Sequence, residues 1–207
     1  EDFHPPTWDL FQAIIWRPKP QKAVGLDSLN LYLVSVLPEL FQHWFYFLVK
    51  RVMYLDIPQS WLEAEIFLLP KGGDPTNPSN YRPIALLTSV YKVIATHTSN
   101  YLNDHIAKPG TLSDSQFGFR RKYQTTDHSI ALASKRTLHP TSYAMYLDLA
   151  KAFNSVVLNT LFRLLAKAGF PPEFINMVKR LYRAPLDTPR VNGYRTASHL
   201  QFRGLRQ

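Results

Sequence analysis

The residue best suited to chemistry is Asp148, a single carboxylate at the end of the apolar stretch "AMYLDLAKAFNSV" at 144–156. A carboxylate between a predicted strand and a predicted helix can cap that helix, because its oxygen accepts hydrogen bonds from the free N–H groups of the first turn. It can also bind Mg²⁺, which prefers oxygen ligands and usually takes one or two carboxylates together with substrate phosphates. The local sequence leaves both readings open, and the second would suit phosphoryl transfer.

A second feature is the excess of positive charge. The net charge is +9, and residues 163–207 hold nine Lys or Arg against only Glu173 and Asp187. Charge distributed so unevenly favours a polyanionic partner, with nucleic acid the leading candidate, whereas a solvated basic surface is the alternative. Two further cations, Lys71 and Arg82, lie in "PKGGDPTNPSNYRP" at 70–83, whose Pro, Gly, Asn and Asp content predicts an exposed loop.

The predicted elements place Asp148 between a strand over 143–147 and a helix over 150–168 that ends at Gly169. The loop at 70–83 follows a strand, "EIFLL", and precedes an amphipathic helix over 86–106. The pattern predicts these further elements: a short helix capped by Thr7, helix over 29–55, helices over 126–138 and 171–182, and a hairpin at Asn192-Gly193. Helices first, followed by mixed helix and strand, predict an α+β fold.

Composition excludes several classes of protein. The absence of cysteine excludes disulfides and thiolate metal sites, and it fits an intracellular protein. The histidines have no spacing that would place ligands on one helix face. The longest apolar stretch, at 31–49, contains Pro38 and Glu39, so it predicts a bent or paired buried helix rather than a membrane span.

Four sequence blocks occur in an order that resembles reverse transcriptases. They are "WLEAEIFLLPKGGDPTNPSNYRPIALLTSVYKV" at 61–93, "QFGFR" at 116–120, "YLDLAKAFNSV" at 146–156 and "RGLRQ" at 203–207. The resemblance extends over nearly the whole chain, and it is greatest to the enzymes of non-LTR (LINE-like) retrotransposons, with group II intron enzymes next. The resemblance implies a right-hand polymerase fold, of which the fingers and part of the palm are present.

The same resemblance implies roles for the residues around Asp148. Asp148 corresponds to the first palm aspartate, which binds two Mg²⁺ ions in the complete enzyme, and Leu149 to a residue whose main-chain carbonyl also binds metal. Phe153 corresponds to the aromatic residue beneath the incoming sugar, which excludes a ribose 2′-hydroxyl. By its position alone, Phe153 could instead lie in a helix core with Val156 and Leu161.

Further residues correspond to substrate-binding positions of the family. Arg82 and Lys71 correspond to fingers residues that contact the nucleotide triphosphate, and a flexible loop carrying two cations could close over that group. Gln207 corresponds to the glutamine of the family's "QG" motif, near the nucleotide and the template. The segment "KAVGLDS" at 22–28 resembles an N-terminal block that lies near the template in the family.

The block at 116–120 corresponds to residues beside the template strand. The resemblance implies template contacts for Gln116 and Arg120, with Gly118 allowing close approach of the backbone. The implied division of the chain is an N-terminal extension with fingers and some palm helix at 1–140, and a partial palm at 141–207.

Two departures from the family pattern affect the expected activity. Asn154 follows Phe153, the residue that we call the sugar gate, at a position where the family usually has Asp. Such a change is what a decayed copy of a retrotransposon would show. The 207 residues also lack the aromatic-x-Asp-Asp motif that carries the second metal-binding aspartate. The absence of an initiator Met predicts a piece of a longer protein, without the thumb, and we expect this piece to be inactive as isolated.

The expected function is RNA-directed DNA synthesis, in which a deoxynucleoside monophosphate is transferred to a primer 3′-hydroxyl with release of pyrophosphate. The implied partners are an RNA template, a DNA primer and deoxynucleoside triphosphates, with no membrane and an oligomeric state that the sequence does not give. The expected location is intracellular, in the nucleus or in a cytoplasmic ribonucleoprotein. The alternative is a non-catalytic RNA-binding scaffold derived from such an enzyme.

Overall fold

The structure is a computed structural model that describes residues 2–16, 18, 20, 22–139, 141–183, 185–191, 193–201 and 204–206. The chain forms two compact units, the first from Glu1–Ser99 together with Phe153–Gln207 and the second from Asn100–Ala152. Their mixture of helices and one sheet agrees with the predicted α+β class. Among the described residues, every helix is too short or too polar to span a lipid bilayer.

Seven α-helices and five strands are formed by the described residues. In chain order they are α1 (Trp8–Ile15), α2 (Leu31–Val36), α3 (Glu39–Tyr54), β1 (Glu63–Pro70), β2 (Tyr81–Leu87), α4 (Ser89–Ile106), α5 (Thr125–Leu138), α6 (Leu158–Lys167), α7 (Pro172–Leu181), β3 (Leu186–Val191), β4 (Tyr194–Arg195) and β5 (His199–Leu200).

Local signals place most of the helix ends. The Thr7 hydroxyl accepts a hydrogen bond from Leu10 N at 3.4 Å, as predicted for the cap of α1. Pro38 separates α2 from α3, which confirms the predicted bend in the aromatic region, whereas the predicted burial holds for only one face of α3, since Phe41 and Trp44 are exposed. Pro172 occupies the first turn of α7, where its missing N–H leaves no partner unsatisfied. These ends are fixed by residues within four positions of them.

The sheet joins distant parts of the chain in the order β2-β1-β3-β4, with β5 pairing beside β4 on β3. β1 and β2 are antiparallel, with Leu69 opposite Arg82, and β1 and β3 are parallel, with Glu65 opposite Thr188. The pairing of Val191 with Tyr194 confirms the predicted hairpin, although Asn192 lies outside the described residues. β2 takes the place of the end of the loop predicted at 70–83 and of the first residues of the helix predicted at 86–106. The observed helix, α4, begins at Ser89.

The core of the first unit is built from aromatic and aliphatic residues of α1, α4, α7 and β1. Phe11, Phe174 and Leu62 are fully buried, and the rings of Phe170 and Phe174 stack at 4.6 Å between centroids. Arg180 of α7 donates to the carbonyls of Val52 and Met53 at 2.6 and 2.7 Å. The Arg180 guanidinium therefore binds carbonyls in the last turn of α3 that have no hydrogen-bond partner within that helix.

Two predictions about the region around Asp148 are wrong. Residues 143–147 form no strand, and Tyr143, Met145 and Leu147 are largely exposed. A strand needs a neighbour for its backbone N–H and C=O groups, and every described strand pairs only within the β1–β5 sheet. The predicted helix over 150–168 begins only at Leu158, because Lys151 has a φ of 52° and residues 153–155 form a short 3₁₀ turn.

Candidate functional site

The Phe153 turn is the best-defined part of the candidate site. The Phe153 carbonyl accepts a hydrogen bond from Leu205 N at 2.9 Å, and the Val156 carbonyl accepts one from Gly204 N at 2.9 Å. Two of the four sequence blocks, at 146–156 and 203–207, therefore meet through their backbones. Because Phe153 lies before α6 and not in it, the helix-core reading of this residue does not hold.

Gly204 makes this close approach possible. Its φ is +87°, and a Cβ added to it would lie 2.7 Å from Asn154 Cα. Both the backbone conformation and the space therefore exclude any other residue without rearrangement. Asn154, the residue that departs from the family pattern, is in this way packed directly against the "RGLRQ" segment.

Arg206 anchors the same segment and was not singled out from the sequence. Its side chain is 2% exposed, and it donates to the carbonyls of Leu62 at 2.6 Å and Leu186 at 3.2 Å. Its Nη2 atom also lies 2.8 Å from Asp187 Oδ1. Burial raises the pKa of Asp187, and the Arg206 guanidinium opposes that shift. This ion pair could not be predicted from the sequence around Arg206, since its contacts come from Leu62, just before β1, and from Leu186 and Asp187 of β3.

A cavity of about 220 Å³ lies in the first unit beside these residues. Its walls include Pro83 of β2, Asn154, Asp187 and Arg206. Pro83 and Ala85 share the face of β2 that lines the cavity, whereas Arg82 belongs to the alternate set of side chains on this strand and points to the other face of the sheet.

Arg82 and Lys71, the two cations predicted to bind the triphosphate, do not lie in a flexible loop as predicted. Arg82 is exposed on β2 and not in a loop, because the strand begins at Tyr81. Lys71 follows β1, and its N–H donates to Asn80 O at 2.7 Å while Nζ donates to Ser79 O at 3.3 Å. Both cations therefore lie at the loop end of the β1–β2 hairpin.

The hairpin loop between them is ordered by its own hydrogen bonds. Asp74 Oδ1 accepts from the N–H and hydroxyl of Thr76 at 2.9 and 2.7 Å, and these bonds lower the pKa of Asp74. Asn80 Nδ2 donates to Asp74 O at 2.9 Å, and Tyr81 donates to Pro75 O at 2.9 Å. The predicted flexible loop is thus a network of turns.

The segment "KAVGLDS" packs on the junction of β2 and α4. Asp27 Oδ2 accepts a hydrogen bond from Ser89 N at 2.6 Å, so it caps α4 from 62 residues away. A Cβ on Gly25 would overlap the Leu87 carbonyl, which explains the glycine. Lys92 donates to Ala23 O at 3.3 Å, and burial lowers the pKa of Lys92 while Asp27 opposes the shift. The family resemblance identified this segment, but it did not predict that Asp27 caps α4.

In the second unit, the block at 116–120 forms a hydrogen-bonded turn. Gln116 Nε2 donates to Gly118 O at 3.1 Å, and Arg120 Nη1 donates to the carbonyls of Ser113 and Gln116, both at 3.3 Å. The Arg120 guanidinium lies 4.5 Å from the centre of the Tyr123 ring. The structure therefore brings the three predicted template-binding residues, Gln116, Gly118 and Arg120, into one cluster.

Asp148 and Leu149 lie in the second unit, in an exposed segment without regular secondary structure. Their carboxylate and carbonyl oxygens are the donor type that Mg²⁺ prefers, so the chemistry fits this ion. Among the described residues, no group of three His, Asp or Glu side chains is placed to hold a metal. The chain thus offers a partial donor set. Gln207 lies outside the described residues.

Comparison with known proteins gives one family. Residues 69–207 match the family model described as reverse transcriptase (RNA-dependent DNA polymerase). The chain is 29% identical over 173 residues to the probable RNA-directed DNA polymerase from transposon BS of Drosophila melanogaster, covering 80% of this chain and 17% of that protein.

Two other relatives match over more of the chain. It is 27% identical over 197 residues to the RNA-directed DNA polymerase from mobile element jockey of Drosophila melanogaster, covering 92% of this chain and 21% of the relative. It is 28% identical over 199 residues to the retrovirus-related Pol polyprotein from type-1 retrotransposable element R2 of Popillia japonica, covering 93% and 26%. The chain therefore spans 17 to 26% of the length of these relatives.

Proposed function

The chain belongs to the reverse transcriptase family, with relatives in non-LTR retrotransposons, and we propose that it supplies the fingers and part of the palm of an RNA-directed DNA polymerase. The reaction is the transfer of a deoxynucleoside monophosphate to a primer 3′-hydroxyl on an RNA template. In this proposal, residues 1–140 are the N-terminal extension and fingers with some palm helix, and residues 141–207 are the partial palm.

The observation that most strongly supports the proposal is the meeting of two family blocks at the Phe153 turn. The hydrogen bond from Leu205 N to Phe153 O joins the sugar-gate position to the segment that precedes Gln207. A gate must be rigid to exclude a 2′-hydroxyl, since discrimination depends on a steric clash that a mobile ring would relieve. The buried Arg206 and the fit of Gly204 against Asn154 provide that rigidity.

The metal-binding role falls to Asp148 and to the main-chain carbonyl of Leu149. When bound there, Mg²⁺ would lower the pKa of the primer hydroxyl and neutralise charge on the leaving pyrophosphate. The remaining oxygen donors would come from substrate phosphates, water and an aromatic-x-Asp-Asp motif that the 207 residues do not contain. The chain by itself is therefore inactive in this proposal.

The other site residues bind substrate and template. Arg82 and Lys71 balance the charge of the triphosphate, Gln207 contacts the nucleotide and template, and the cluster at 116–120 contacts the template strand. The excess of Lys and Arg over residues 163–207 provides a longer-range attraction for the nucleic acid. An intracellular location, in the nucleus or in a cytoplasmic ribonucleoprotein, follows from such a role.

Primer extension with Mg²⁺ on an RNA template tests the polymerase role. The 207-residue chain is compared with a chimaera that continues into the aromatic-x-Asp-Asp segment of a relative. We expect synthesis only from the chimaera, and the loss of that synthesis in the Asp148→Asn chimaera. The Phe153→Val chimaera should incorporate ribonucleotides that the parent excludes. Robust synthesis by the 207-residue chain would contradict the expected inactivity, and an inactive chimaera that binds template–primer would contradict the polymerase role.

The alternative function is an RNA-binding scaffold without catalysis, and Asn154 is the observation that favours it. Both functions require nucleic-acid binding. If the chain contacts six or more phosphates, its affinity should fall on the order of 10³-fold between 50 and 200 mM salt. A scaffold would bind RNA with this salt dependence, but neither the chimaera nor its Asn154→Asp variant would extend a primer, whereas a polymerase would.

A further inference from the structure

α3 carries an exposed apolar stripe that the proposed function does not use. The stripe consists of Phe41, Trp44, Leu48 and Arg51, spaced three, four and three residues apart, with Leu40 and Phe47 on its flanks. Phe41, Trp44 and Phe47 are 56%, 68% and 61% exposed. A groove of about 540 Å³ runs along the stripe and is lined almost entirely by apolar atoms.

The opposite face of α3 already packs against the core. Gln42, Tyr46, Val49 and Met53 are buried there, at spacings of four, three and four. α3 therefore has two helix-packing faces, only one of which is covered by described residues. Alternation of three and four residues is the pattern by which one helix packs lengthwise against another. The uncovered face is thus suited to a second helix rather than to a small molecule.

We propose that the stripe is a self-association surface, through which two copies of this chain pair by their α3 helices in antiparallel orientation. In the antiparallel heptad register Trp44 of one copy faces Leu48 of the other, and Phe41 faces Arg51. A guanidinium over an aromatic ring is a favourable contact, and the two-fold axis forms it twice. Parallel pairing would instead place Arg51 against Arg51 of the second copy.

The exposed area of the stripe is sufficient for a weak but specific pair. Aromatic side chains bury about 150–250 Å² each, so the exposed fractions of Phe41, Trp44 and Phe47, together with Leu40 and Leu48, would remove on the order of 450–650 Å² from each copy. The total of about 900–1,300 Å² reaches the lower limit of the standard range for stable protein interfaces, roughly 1,200–2,000 Å². A patch of this size is at the upper end of what monomeric proteins expose.

Sedimentation velocity of the 207-residue chain tests the proposal without any reference to polymerase activity. The mass should approach twice the 23.9 kDa of one chain at tens of micromolar and fall to that of one chain on dilution. The pair should persist at raised salt, because screening reduces repulsion between two chains of net charge +9. A monomer at every concentration would overturn the proposal and would leave the stripe to a different partner.

Substitutions locate the surface. Trp44→Glu should raise the dissociation constant of the pair by about 30-fold or more, which is the effect of losing a central aromatic anchor. Trp16→Glu is the matched control, since Trp16 is 60% exposed and lies outside the stripe. Circular dichroism melts of both variants show whether the fold is retained. Equal weakening by both substitutions, in folded variants, would overturn the assignment to α3.

Disulfide trapping tests the orientation, because the natural chain has no cysteine. In the antiparallel register the two copies of residue 41 are ten residues apart along the helix axis, or about 15 Å, too far for a disulfide. A mixture of Phe41→Cys and Arg51→Cys chains should therefore form a mixed disulfide. Disulfides within the Phe41→Cys chains alone would indicate parallel pairing and overturn the proposed register.

Discussion

Arg206→Met is expected to lower the free energy of unfolding of the chain by about 3–5 kcal/mol, the cost of removing one partner of a buried ion pair. The side chain is 2% exposed, so water cannot replace the lost contacts. Asp187 would keep a partly buried charge without its cation, and the carbonyls of Leu62 and Leu186 would lose charged donors. Each such hydrogen bond contributes about 1.5–3 kcal/mol.

Urea unfolding followed by circular dichroism measures this loss. Arg163→Met is the matched control, since Arg163 is exposed on α6 and its substitution should change stability by less than about 0.5 kcal/mol. Arg206→Lys should lie between the two, because it keeps the charge but not the planar fork that reaches two carbonyls. A loss below about 1 kcal/mol for Arg206→Met would refute the view that this ion pair anchors the Gly204–Arg206 segment.

The pH dependence of the same variant gives an independent check. Burial raises the pKa of Asp187, and Arg206 opposes that shift, so removal of Arg206 should raise this pKa further. A raised folded-state pKa contributes stability at low pH, and that contribution is lost as pH rises through the folded value. The deficit of Arg206→Met relative to the natural chain should therefore shrink as pH falls from 7 towards about 4. An unchanged deficit would show that Asp187 does not contribute.

Three further changes test other contacts. Gly204→Ala should cost at least about 1–3 kcal/mol more than Gly193→Ala in urea unfolding, because both glycines have positive φ but only at Gly204 would a Cβ meet backbone. Asp27→Ala should cost about 0.5–2 kcal/mol through loss of the α4 cap, whereas Asp9→Ala should cost less, and equal costs would contradict the cap. Burial lowers the pKa of His97, so stability should fall as pH drops below about 6.5 towards the folded value. Chemical denaturation at several pH values should show a weaker dependence for His97→Gln, and an unaltered dependence would refute this.

The sequence predicted those features whose cause is local. The Thr7 cap, the break at Pro38 and the hairpin beside Gly193 each depend on residue types within a few positions. β2 was missed because Pro83 interrupts a strand pattern, yet β2 lies at the sheet edge, where a missing N–H is tolerated. The strand predicted at 143–147 failed for the converse reason, since an apolar pattern does not supply a pairing partner.

The candidate site divides in the same way. The motif around Phe153 pointed to a turn that contacts the Gly204–Arg206 segment, and the block at 116–120 is one hydrogen-bonded cluster, while the substrate and template roles of these residues stay predictions. The residues that hold the Phe153 turn in place were not predictable. Arg206 donates to the carbonyls of Leu62, just before β1, and Leu186 of β3, and Asp27 accepts from the first residue of α4, so their roles depend on contacts between segments remote in sequence.

The parallel pairing of β1 with β3 also has a consequence for how the chain acquires its fold. Phe67 lies beside Arg190, 123 positions later in the chain, so this pair is a contact of very high sequence separation. Contacts of this kind slow folding, because the entropy of closing the loop is lost before the contact forms. During synthesis β1 has only β2 as a neighbour until residue 190 emerges from the ribosome. Until then, one edge of β1 presents unpaired backbone N–H and C=O groups that can pair with other chains, and a chaperone would reduce aggregation during this period.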